Sequence, residues 1–177
     1  MQGRDRRTAA PVAGRPADGD IVPAGEGQRV SASEPEDAQR VFPVHHYAAG
    51  REKIREYARA VGETNPLYLE LDAARAAGHP DLVAPPMFAV VYCCAAIEQA
   101  LRDPAVGIDF AMLVHGGQEF EWGPLVFAGD EITTQVTVAD IHERVGMGFY
   151  AFASRSHNQR GEQVCSGTWT QIVRPRT

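Results

Sequence analysis

The chain has almost no lysine. Lys53 is the only one in 177 residues, and its 17 basic residues are outnumbered by 23 acidic ones, for a net charge of −6. No basic field is present to hold nucleic acid. Cysteine is equally scarce. Cys93, Cys94 and Cys165 are too few for a disulfide framework, and without a Cys-x-x-Cys pair no structural zinc site is expected. The adjacent Cys93 and Cys94 lie in an apolar run and read as small buried hydrophobes. Long hydrophobic runs are missing too. The longest uncharged apolar stretch, 87–97, is about half of the roughly 20 residues that a membrane-spanning helix needs. Arg4, Arg6 and Arg7 are not followed by an apolar segment, so no secretory leader is expected. A cytoplasmic location follows by default. Aromatic residues are absent from the first 40 positions, which are rich in Pro, Gly, Ala, Asp and Arg. Such a stretch buries too little apolar area to offset chain entropy. It is read as a disordered tail over 1–40, followed by one domain over 41–177.

That domain has enough apolar residues for a core, since the whole chain is 44% hydrophobic. Residues 41–44 read as an extended entry. Ile54, Tyr57, Ala58 and Val61 share one helical face, which predicts a helix over 51–61 stopped by Gly62. Asn65-Pro66 reads as a turn, and a short helix is expected over 71–77, closed by Gly78. Pro85-Pro86 is placed to open a helix running to about Leu101. From Met87 to Ile97 no face of that helix is polar, so it is expected to be surrounded on all sides. Strands are expected over 113–122, 132–141, 148–156 and 164–173, with a turn at 157–161. Helices first and antiparallel strands after make an α+β layout. A long curved sheet wrapped around one apolar helix is the single hot-dog fold.

Several strings in order resemble the MaoC-like, or FAS1-like, dehydratase N-terminal domain family. They are 50–58 (GREKIREYA), 61–68 (VGETNPLY), 76–88 (AAGHPDLVAPPMF), 114–120 (VHGGQEF) and the spacing to Ala128-Gly129-Asp130. The resemblance covers about residues 42–174. It implies a hot-dog domain handling (3R)-hydroxyacyl thioesters on acyl carrier protein or coenzyme A, with no cofactor and no metal. Reversible loss of water from such a thioester needs a base for the α-proton, an acid for the hydroxyl, and donors for the enolate-like oxygen. Active members carry Gly-Asp-x-Asn-Pro-x-His, where the Asp and the His move the protons. In this chain the stretch is Gly62-Glu63-Thr64-Asn65-Pro66-Leu67-Tyr68. A carboxylate one carbon longer replaces the Asp, and a phenol with an ordinary pKa near 10 replaces the His. The resemblance is nearest to the non-catalytic subunits of heterodimeric dehydratases.

The implied candidates follow from this alignment. Glu63 is the one candidate catalytic residue, weighed against a solvated helix-end carboxylate. Asn65, Pro66, Tyr68, Pro86, Met87 and Phe88 are the candidate substrate-binding residues, with Tyr68 read as a packing or tunnel-wall residue. Pro85 and Pro86 lack amide protons, leaving Met87 and Phe88 as possible donors at the helix start. His115 is read as an ordinary strand histidine, His45, His46 and His79 as loop residues, and Asp130 as a turn residue. One of Gln118 and Glu119 is expected to be solvated and the other to face an interface. The expected function is a dehydratase component that shapes the acyl tunnel beside a catalytic MaoC-like partner. The alternatives are a homodimeric hydratase using Glu63, an acyl thioesterase, for which Glu98 is the only carboxylate in the long helix, and a non-catalytic acyl-binding module.

Overall fold

The computed structural model describes residues 40–176; the expected tail over 1–40 lies outside them but for its last residue. The elements run β1 (His45–Ala48), α1 (Arg51–Ala60), α2 (Pro66–Leu69), α3 (Leu71–Ala76), a 3₁₀ turn (Pro86–Phe88), α4 (Ala89–Leu101), β2 (Leu113–Trp122), β3 (Glu131–Arg144), β4 (Met147–His157) and β5 (Gln163–Val173). The strands form one antiparallel sheet in the order β1-β3-β4-β5-β2. Apart from the short β1, the helices precede the strands, and the sheet folds over α4, so the α+β hot-dog reading holds.

Strand period sets the inner face. Thr134, Val136 and Val138 alternate inward on β3 and are fully or almost fully buried. Opposite them lie Ser156, Ser154 and Phe152 of β4, and beyond those Cys165 and Trp169 of β5. Against this surface α4 lays Ala89, Tyr92, Cys93, Ala96, Ile97 and Ala100, all buried. Small residues on that helix let it approach the sheet closely. Full burial of large side chains such as Phe88 and Phe152 stabilises the fold by roughly 1.5–3 kcal/mol each.

Four details differ from the expectations. Residues 45–48 form a fifth strand, so His45 and His46 are not in a loop; His and Tyr are ambivalent enough to hide its inward-outward alternation. The long helix opens as a 3₁₀ turn, and α4 proper begins at Ala89. Asn65 does not make a simple turn: its side chain accepts the Leu67 N–H at 3.0 Å and caps the one-turn helix α2, with Pro66 in the first position. Finally, α4 is not surrounded on all sides. The sheet wraps one side only, leaving Met87, Cys94 and Ala95 exposed and Val90 and Val91 half-buried.

Candidate functional site

The site loop is anchored where α1 ends. Gly62 takes a positive φ of 76°, its N–H reaches the Arg59 carbonyl at 3.2 Å, and the Glu63 N–H reaches that of Ala58 at 2.8 Å. This pair of bonds is a Schellman closure, and it turns the Glu63 side chain into solvent. The chain then enters α2, which carries the half-buried Tyr68. The Leu67 carbonyl accepts the Val83 N–H at 3.0 Å, tying this loop to the segment that leads into α4.

The opening of α4 is held from two sides. The Tyr57 hydroxyl of α1 donates to the Met87 carbonyl at 3.1 Å. The Trp122 indole N–H, at the end of β2, donates to the Pro86 carbonyl at 2.9 Å. The Tyr57 ring also meets Phe88 edge-on, with centroids 5.5 Å apart. Burial lifts the Tyr57 phenol above its ordinary pKa, and the negative charge of Glu63 lifts it further. So Glu63, Tyr57 and the Met87 carbonyl form one neighbourhood at the mouth of α4.

The candidates fall into distinct places. Glu63, Asn65 and Pro66 are exposed on the loop, and Pro86 and Met87 are exposed at the helix start. Phe88 is elsewhere in character: its side chain is in the core among Tyr47, Tyr57 and Tyr92. Its amide is not open either, because it donates to the Pro85 carbonyl at 2.8 Å. A 3₁₀ turn closes that bond one residue earlier than an α-helix would. Of the two amides expected to serve a ligand, Met87's is the one left at the turn's opening. Tyr57 and Trp122 are the positioning residues that sequence reasoning missed. Their only signal was the pairing of polar-tipped aromatics with a Pro-Pro helix start, and both fit plainer roles on a helix face and a strand end.

Histidines do not gather here. His115 accepts from the Gln171 side chain at 3.2 Å, seven residues from Trp122 along β2, or about 20 Å. His79 lies against Phe127, and His142 pairs with Asp140 at 2.8 Å on an exposed strand end. Among the described residues no group of His, Cys, Asp and Glu is arranged to hold a metal ion, and no helix is long and apolar enough to cross a membrane. Glu98 is engaged with Arg102 at 2.8 Å near the far end of α4. Asp130 is a buried loop clasp, accepting from the Phe127 amide and the Gln159 side chain, each at 2.8 Å. Glu119 is exposed, while the Gln118 amide nitrogen is buried on β2 without a partner among the described residues.

A five-stranded antiparallel sheet folded over one central helix, with a loop-and-helix-start site, defines a hot-dog protein. The chain belongs to the FAS1-like dehydratase domain region family, whose model matches residues 40–166, as the resemblance in sequence implied. It is 40% identical over 131 residues to a UPF0336 protein of Streptomyces coelicolor, covering 74% of this chain and 87% of that one. It is 43% identical over 141 residues to a UPF0336 protein of Clavibacter michiganensis, covering 79% and 95%. Among solved structures it is similar to the C-terminally truncated HadBC (3R-hydroxyacyl-ACP dehydratase) complex from Mycobacterium tuberculosis. The identity there is 27% with a TM-score of 0.65, over 77% of this chain and 97% of that one. The (R)-hydratase of A. caviae shares the fold, at 19% identity and a TM-score of 0.63, over 81% and 100%.

Proposed function

We propose that this chain is the scaffold subunit of a (3R)-hydroxyacyl-thioester dehydratase, shaping the acyl site beside a second hot-dog chain that supplies the proton-transfer residues. The observation that carries the reading is the site loop itself. Its turn and anchoring bonds are intact, but Tyr68 stands where the family's catalytic histidine would be, and neither the loop nor the helix start contains an imidazole. Glu63 offers a carboxylate one carbon longer than the family's Asp. A displacement of about an ångström in a reacting group can cost about a hundredfold in rate.

Two surfaces support a second subunit. Strand β2 is ten residues long and stands at the sheet edge, where unpaired backbone groups invite another strand. Elsewhere α4, which packs on β3, β4 and β1, leaves the exposed Cys94 and Ala95 and the half-buried Val90 and Val91 as an apolar stripe uncovered among the described residues. The HadBC structure is itself a complex, and that of the ChsH1-ChsH2 pair, similar in fold, is another. The substrate under this reading is a 3-hydroxyacyl chain on acyl carrier protein or coenzyme A, in the cytoplasm.

The test is hydration of crotonyl-coenzyme A by the purified chain, alone and co-expressed with a hot-dog chain bearing an intact Gly-Asp-x-Asn-Pro-x-His motif. Turnover only in the pair is expected; robust turnover by the chain alone overturns the reading. One observation favours a second reading, a self-sufficient hydratase: Glu63 keeps a carboxylate on the site loop, and its charge adds to the upward push that burial gives the Tyr57 phenol at the mouth of α4. In that case Glu63→Gln abolishes the activity of the lone chain.

A further inference from the structure

A small apolar cavity of about 70 Å³ lies at the α4 opening, walled by Pro85, Pro86 and Trp122, and Tyr57 is not among its lining residues. Ala84, Tyr92, Val126 and Val164 line it and are all buried. Trp122 and Leu125 form its rim, and each is about half exposed. No charged side chain lines it. Two backbone bonds frame it: the Ala84 N–H bonds the Val126 carbonyl at 2.8 Å, and the Gly123 N–H bonds that of Val164 at 3.0 Å. The rim is tied by one polar contact, the Trp122 bond to Pro86. Pro85 and Pro86 belong both to the cavity wall and to the helix start.

We propose that this cavity receives the terminal carbons of a short aliphatic acyl chain, and that Trp122 sets the chain length it accepts. The inference rests on the acyl-thioester reading above. An apolar cavity stays dry and takes apolar guests. Its volume is about that of two or three waters at roughly 30 Å³ each, and so of two or three methylene or methyl groups. A thioester bound at the α4 opening would pass its tail along Pro86 into this space. A longer tail meets the Trp122 ring, which its hydrogen bond keeps over the opening.

All the lining residues come from one chain, so the full chain alone suffices for the test. Butyryl, hexanoyl, octanoyl and decanoyl thioesters of N-acetylcysteamine are titrated against it by calorimetry. Each accommodated methylene raises affinity about fourfold. The expected result is a rise that stops at a short chain in the native protein. In Trp122→Ala the rise continues for two or more further carbons. Trp122→Phe keeps a ring, loses the tie, and gives an intermediate limit with the fold intact by circular dichroism. Ala84→Val narrows the cavity and weakens even butyryl binding. If thioesters bind with the same length dependence in all four proteins, the cavity assignment is overturned while the acyl-binding reading stands. If no thioester binds the native chain, both fall.

Discussion

The three cysteines are chemically unequal, and the inequality follows from where α4 meets the sheet. Cys93 and Cys165 are buried, while Cys94 is exposed. Burial pushes the Cys93 thiol up to about 11, with its contact to the Ser156 hydroxyl at 3.4 Å opposing that shift. A thiol held neutral and enclosed is inert. Titration of the folded protein with a thiol reagent is expected to label Cys94 quickly and the other two only on unfolding. The linkage sign is also set. The folded state keeps the Cys93 proton to a higher pH than the unfolded chain does. Its contribution is therefore complete below the ordinary thiol range and declines as pH rises from about 9 to about 11. Denaturant midpoints measured across that range should fall, and less steeply in Cys93→Ser. Val145 is a second case. It sits in the two-residue loop between β3 and β4 with φ 53°, followed by Gly146 at 73°. Both residues of such a loop need positive φ, and a β-branched side chain is ill-suited to it. Val145→Asn is expected to stabilise the protein by about 1 kcal/mol in chemical denaturation.

At the scale of elements, the close approach of the β2 end to the β5 start constrains the site. A Cβ added at Gly123 would collide with the Gln163 carbonyl oxygen. Backbone must move to admit it, and that movement would carry Trp122 away from Pro86. Gly123→Ala should therefore lower thermal stability by more than Tyr57→Phe, which removes one hydrogen bond, worth about 1 kcal/mol. Much of this element layout was legible in sequence. The periodicity of Ile54, Tyr57 and Ala58 placed α1, Gly62 placed its end, and the alternation in β3 placed the inner face. What escaped has physical reasons. Strand β1 is only four residues of mixed character. The open face of α4 cannot be read from its own composition, because apolar residues mark both a core face and a face awaiting a partner. The Tyr57 and Trp122 bonds to Met87 and Pro86 join residues 30 and 36 positions apart, and no local pattern encodes them. The loop 62–68 was legible through family likeness, while its approach to Tyr57 came only from the fold.

For the whole molecule, an α4 stripe and a ten-residue edge strand lie uncovered among the described residues, on a domain whose site loop contains no imidazole. The proposed second hot-dog chain would account for both features together. If that chain covers α4, Cys94 should become protected from thiol reagents in the complex, whereas a partner docking elsewhere leaves its labelling rate unchanged. The most direct measurement of the central claim remains the initial rate of crotonyl-coenzyme A hydration by this chain alone and in complex with a hot-dog chain carrying the intact Asp and His. The account predicts no turnover alone and restored turnover in the complex, unaffected by Glu63→Gln; robust turnover by the chain alone, lost in Glu63→Gln, would contradict it.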